Sequence, residues 1–159
     1  MSETSLPNRR TVVGVGAALG GSALLAACGD GHSAAPVNSP SAVPEPTGQG
    51  QALLTLADLP VGSRASAVAS GANGSEVGVL LFRPSEDSVL AYTNVCTHQG
   101  CAVSSDAPSG EDFYCACHGS QFSPADGTAT HGPAKAALAR FATKIEGDDI
   151  LVFIPEDAI

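Results

Sequence analysis

Four of the five cysteines and two of the four histidines of this 159-residue chain fall between Cys96 and Phe122, where the sequence reads CTHQGC, thirteen further residues, then CACHGSQF. Cys96 and His98 stand one residue apart; Cys115 and His118 stand two residues apart on a separate segment. Each pair joins a soft thiolate to an imidazole and can grip one metal from one side. Tetrahedral zinc uses the same residue types at short spacing, and four cysteines can also close into two disulfides, as in small secreted scaffolds. Zinc more often takes Cys-x-x-Cys knuckles, whereas here Cys-x-His comes first. Two disulfides leave both histidines without a role.

The pattern Cys-x-His-x-x-Cys followed by Cys-x-Cys-His-Gly-Ser resembles the Rieske iron–sulfur proteins, and specifically their disulfide-containing branch. The resemblance implies one [2Fe–2S] cluster, with Cys96 and Cys115 on one iron and His98 and His118 on the other. It also implies that Cys101 and Cys117 pair with each other across the two cluster loops. Closing that loop is worth roughly 3 kcal/mol by the chain-entropy estimate.

With two ferric irons, two sulfides and two thiolates, such a centre is neutral when oxidised and carries −1 when reduced, so it accepts an electron more readily than a four-thiolate cluster. Rieske potentials accordingly span roughly −150 to +300 mV. In the high-potential branch a serine and a tyrosine donate hydrogen bonds near the second ligand loop. Ser120 matches the serine, but Phe122 stands at the tyrosine position and has no hydroxyl, which implies a lower potential than in quinol-oxidising members. Gly132 and Pro133, in the run His131-Gly132-Pro133-Ala134, resemble the proline-containing loop that covers the cluster's third side. Two departures weaken the likeness to quinol-docking relatives: polar Gln99 where an apolar residue is usual, and Lys135 where a second proline is common. His32 and His131 have no ligand-like spacing to a cysteine, and neither is expected to bind metal.

A disulfide persists only outside the reducing cytoplasm, and the N-terminus offers the route. Residues 1–27, a polar start ending in Arg9-Arg10 and then a weakly apolar, glycine-rich run, resemble a twin-arginine export signal, which carries folded, cofactor-loaded proteins. Leu25-Ala26-Ala27-Cys28 resembles a lipobox, and acylation at Cys28 would anchor the chain to the outer face of the cytoplasmic membrane. The run is short and glycine-rich for a membrane-spanning helix. Residues 28–50, rich in Gly, Ser, Pro and Ala, bury too little to order themselves and read as a disordered tether.

The elements that must position the ligands begin at Gln51. Short apolar runs separated by Gly- and Pro-containing turns predict strands over Ala52–Leu56, Arg64–Ala69, Val77–Phe82, Val89–Tyr92, Leu138–Ile145 and Ile150–Ile154. Gly147-Asp148 suits a hairpin between the last two. The fold class read from this pattern is all-β: residues 51–159 form a Rieske-type antiparallel sandwich or barrel. A cluster-binding subdomain, about 94–136, is inserted between strands that pair before and after it.

A formal net charge of −9, spread along the chain, argues against nucleic acid as a partner. No Ser/His/Asp constellation, phosphate-cradling glycine loop or mononuclear iron triad is found, so no separate catalytic residue is assigned. The expected function is one-electron transfer by a lipid-anchored exported protein whose partner is a redox protein or a respiratory complex. The alternative is the iron–sulfur subunit of a cytochrome bc-type quinol oxidoreductase or the small subunit of an exported molybdenum oxidase such as arsenite oxidase.

Overall fold

The structure is a computed structural model, which describes residues 38–156 except Ser109; the side chain of Asn73 is also left undescribed. The export signal, with Arg9 and Arg10, the lipobox residue Cys28 and His32 lie outside the described residues.

Nine strands run in chain order: β1 Gln51–Thr55, β2 Arg64–Ser70, β3 Glu76–Ser85, β4 Ser88–Thr93, β5 Phe113–Cys115, β6 Ser120–Phe122, β7 Ala129–His131, β8 Arg140–Glu146 and β9 Asp149–Phe153. Six of them form one antiparallel sheet in the order β1-β9-β8-β4-β3-β2, and β5-β6-β7 form a second, smaller sheet. The sequence expected the six long strands at nearly these positions, and it expected the last two to meet in a hairpin. β4 and β8, which flank the inserted segment, pair through Ala91–Phe141 and Tyr92–Arg140.

The six-stranded sheet curls until its two edges almost meet. The gap between β1 and β2 is bridged by one side chain, whose amide mimics a backbone ladder: Gln51 Nε2 donates to the Ser70 carbonyl at 2.6 Å, and the Ser70 N–H donates to Gln51 Oε1 at 2.7 Å. The β2 edge thereby gains a partner for the Ser70 N–H and carbonyl, which an open sheet would leave to another chain.

Side chains alternate across a strand, and β3 and β4 are buried on both faces. Val79, Leu81, Val89 and Ala91 point into the barrel core with Leu59, Phe141, Ile150 and Val152. Leu80 and Tyr92, with Phe82 and Leu90 partly buried beside them, point the other way, into a second core with Phe113, Phe122, Leu138, Cys96 and Cys115. Burial of each such Leu, Val or Phe contributes about 1.5–3 kcal/mol. The second core is therefore what seats the small sheet on the large one.

Two polar links fix that seat. Ser66 Oγ and Ser105 Oγ are hydrogen-bonded at 2.9 Å, and the Arg64 guanidinium donates to the Asp112 carbonyl at 2.8 Å. Residues 38–50 were assigned to the tether on composition. Among them, Asn38 donates to the Ala129 carbonyl at 3.0 Å and accepts from its N–H at 2.8 Å, and Ser41 Oγ donates to the Leu138 carbonyl at 2.8 Å. Within this stretch, short polar side chains thus supply bonds that the edge strand β7 lacks. Among the described residues no helix is long and apolar enough to cross a membrane.

Candidate metal centre

The two segments that bear the candidate ligands fold into the same local turn. In the first, the Gly100 N–H donates to the Cys96 carbonyl at 2.8 Å; in the second, the Gly119 N–H donates to the Cys115 carbonyl at 3.0 Å. Each is thus a five-residue Cys-to-Gly turn closed by a bond from residue five to residue one. Gly100 and Gly119 close it at φ +75° and +78° with nothing near a would-be Cβ, so conformation rather than space demands glycine. Below the first turn the chain pairs with itself, Val95 opposite Ala102, with the Cys96 N–H on the Cys101 carbonyl at 2.8 Å. Below the second, β5 and β6 pair Cys115 with Ser120. Both turns thus cap short antiparallel stems and project from them as rigid loops.

Cys96 and Cys115 are buried, unoxidised thiols, 3% and 1% exposed. Burial, then the neighbouring Cys96 thiol, pushes the Cys115 thiol above its ordinary range, although the Cys117 and His118 N–H groups oppose this. A metal ion bound beside such a thiol would favour its thiolate and oppose that shift. The imidazoles of His98 and His118 meet at the tip with ring centroids 4.8 Å apart and planes at 89°. His118 is exposed and His98 half-buried. The inner nitrogen of His98, Nδ1, is buried with no hydrogen-bond partner among the described residues. A buried ring nitrogen that faces no donor or acceptor is costly unless something else occupies it, and a metal ion would.

Cys101 and Cys117 form a disulfide with Cα atoms 6.5 Å apart, tying loop to loop. Their sulfurs and that of Cys115 lie within 4.8 Å of one another, but two of the three are committed to the bridge. Among the described residues, the thiols left for a metal are Cys96 and Cys115. Two thiols and two imidazoles on rigid turns have the chemistry of a [2Fe–2S] centre with mixed ligation.

A third loop closes over the tip. Ser120, 0% exposed, accepts the Ala134 N–H at 3.0 Å, and Thr97 Oγ1 donates to the Ala136 carbonyl at 2.7 Å. The Gly132-Pro133 turn is thereby pinned to both of the segments that carry the candidate ligands. Neither clamp is legible in the sequence, since no short-range pattern marks a bond across 14 or 39 residues. Phe122 is fully buried in the second core, opposite Phe113. Gln99 is exposed at the tip, and His131 is exposed on β7. Tyr92, beneath the site, packs edge-on against Phe113 with its hydroxyl buried and unpartnered among the described residues.

A family model described as the Rieske [2Fe-2S] domain matches residues 51–142. The cytochrome b6-f complex iron-sulfur subunit of Synechococcus elongatus is 35% identical over 88 residues, which cover 55% of this chain and 48% of that protein. The corresponding subunit of Microcystis aeruginosa is 44% identical over 71 residues, 43% of this chain and 38% of that one. The chain spans about half or less of the length of these curated relatives. Among solved structures, the ferredoxin of carbazole 1,9a-dioxygenase from Nocardioides aromaticivorans superposes with a TM-score of 0.52 at 22% identity, covering 68% of this chain and all of that one. That likeness is one of fold.

Proposed function

The chain belongs to the Rieske [2Fe–2S] domain family, and on that premise we propose that it is an exported one-electron carrier, held at the outer face of the cytoplasmic membrane by a lipid on Cys28. The proposed ligands are Cys96 and Cys115 for one iron and His98 and His118 for the other. The observation that carries this assignment is a pair of buried free thiols on the same two turns that bring two imidazoles together edge to face, one with an orphaned buried nitrogen. When bound, the cluster supplies a one-electron couple.

The surrounding residues shape how electrons enter and leave. Cys96 and Cys115 lie in the second core, whereas the two histidines reach the tip, so a partner approaches from the histidine side. The disulfide and the clamped 132–136 loop keep both turns in register and limit water at the sulfurs. Export by Arg9-Arg10 and acylation at Cys28 would place this tip at the membrane surface, with the segment up to Asn38 as the tether.

A second reading, the iron–sulfur subunit of a quinol-oxidising complex, is favoured by the names of the relatives above. Exposed Gln99 and Lys135 at the tip, and the lack of a hydroxyl at Phe122, favour the carrier.

An anaerobic redox titration followed by optical and electron paramagnetic resonance spectra tests the centre. A colourless, silent protein that binds zinc refutes it. A midpoint near the top of the range of roughly −150 to +300 mV favours the quinol-oxidising subunit, and one a few hundred millivolts lower favours the carrier. Labelling with a fatty acid in cells, abolished by Cys28→Ala, is expected if Cys28 is the anchor; label retained in the variant overturns that part.

A further inference from the structure

The chain is acidic overall, yet its tip is not. The loops that surround the paired histidines, 95–102, 116–119 and 131–136, contain one formally charged residue, Lys135. Lys135 is exposed, has no carboxylate within 4 Å among the described residues, and lines a shallow hollow with Thr97, His98, Pro133 and Ala136. The Thr97–Ala136 clamp holds this hollow beside His98.

Six carboxylates gather at the opposite end of the large sheet, whereas Glu76, which opens β3 beyond the Val79–Thr93 pair, and Glu156, which follows β9, lie at the Thr93 end. Asp106 and Glu111 lie in the segment before β5. β4 leaves the opposite end at Ser88 and reaches the tip side at Thr93, which bonds the Ala139 carbonyl; β8 runs back the other way. The β3–β4 turn therefore places Glu86 and Asp87, and the β8–β9 turn Glu146, Asp148 and Asp149, at the far end. Asp58 joins them, because Thr55, whose side chain it binds, pairs with Asp149. Lys144 is spent on Glu146, and the Arg83 guanidinium is spent on the carbonyls of Leu56, Leu59, Ser85 and Glu86. Nearer the small sheet, Asp112 and Asp126 are engaged by Thr130 and Thr128. The five residue steps from Thr93 to Ser88 alone span roughly 17 Å, beyond the Debye length of about 10 Å at 0.1 M salt. A molecule touching the tip thus meets Lys135 well before those six far carboxylates.

We propose that the tip is built to receive an acidic face of a redox protein, with Lys135 opposite a carboxylate and the far end repelling wrongly oriented approaches. The inference rests on the functional reading above and names its partner's chemistry. A basic partner would be drawn instead to the far end, away from the histidines.

The test uses the full, cluster-loaded chain and small oxidants of opposite charge as probes. Oxidation of the reduced protein by anionic hexacyanoferrate(III) should slow as ionic strength rises from 0.05 to 0.5 M, although the protein carries a net negative charge. Lys135→Glu should slow that reaction roughly fivefold to tenfold at 0.1 M and speed the reaction with cationic tris(phenanthroline)cobalt(III). Line broadening by hexacyanochromate(III), which reads anion contact without electron flow, should centre on the amides of 97–99 and 135–136 and vanish in the variant. A rate that rises with ionic strength, or that ignores Lys135, overturns the inference. So does Lys135-dependent binding to vesicles of anionic phospholipid without any effect on the two oxidants. A chain with no reversible two-iron signal fails the functional reading itself and takes this inference with it.

Discussion

Replacing Ser120 by alanine separates two jobs that one buried hydroxyl is placed to do. Its oxygen accepts the Ala134 N–H at 3.0 Å, in surroundings where Ser120 is 0% and Ala134 5% exposed. Removing the acceptor leaves a buried N–H unpaired, at a cost of about 1–3 kcal/mol. Among the described residues no protein acceptor takes the hydroxyl's own proton, which remains available to a sulfur of the centre. A hydrogen bond to a charged acceptor is about twice as strong as a neutral one, so it should favour the reduced, more negative state by about 1–2 kcal/mol. For one electron, 59 mV corresponds to a tenfold change, or about 1.4 kcal/mol, so Ser120→Ala should lower the midpoint by roughly 40–80 mV. Film voltammetry gives the potential, and thermal bleaching of the visible absorbance gives the stability. Ser120→Thr, which keeps a hydroxyl, should recover most of the potential. A Ser120→Ala variant that bleaches at lower temperature but keeps its midpoint within about 10 mV would show the hydroxyl to be a clamp alone and refute the electronic role.

Phe122→Tyr should raise the midpoint by a similar 40–80 mV if the added hydroxyl reaches a sulfur; no rise, or a fall, counts against that reading of Phe122. Changing Cys101 and Cys117 together to serine should cost roughly 3 kcal/mol and shorten the cluster's lifetime at elevated temperature, and an unchanged bleaching rate would mean that the loops hold their register without the bridge. Tyr92→Phe removes an unpartnered buried hydroxyl and should stabilise the fold by about 1 kcal/mol in denaturant titrations. Burial pushes the Tyr92 phenol up to about 12, with Arg140 pulling it down and Asp126 raising it, against about 10 in the unfolded chain. The folded state holds that proton more tightly, so the associated stability is intact below about pH 10 and is lost as pH rises towards 12. Melting curves across that window should fall in wild type and fall less in the phenylalanine variant.

Much of this was legible in the residues because the signals are local. Ligand types at short spacing mark the turns Cys96–Gly100 and Cys115–Gly119. Short apolar runs between Gly- and Pro-containing turns mark the long strands, and the continuous apolar run at Val79–Phe82 reflects a strand buried on both faces. The strands β5, β6 and β7 were not legible. Each has three residues, FYC, SQF and ATH, too short to show a period, and each is a strand because of its neighbours. Composition marked residues 28–50 as a tether, yet Asn38 and Ser41 are bonded to the domain, since two amide groups and one hydroxyl need no apolar stretch to find partners.

The sequence alone determined the ligand candidates, the β class and the excess of negative charge, all of which follow from residue type and spacing within a few positions. Only the tertiary structure decided that Ser120 and Thr97 clamp a loop 14 and 39 residues away, that the Gln51 side chain bridges β1 to β2, and that six carboxylates gather at the far end of the sheet while Lys135 lines a hollow beside His98. Those relations depend on which strands pair and in what register, and pairing is settled by burial shared among distant segments.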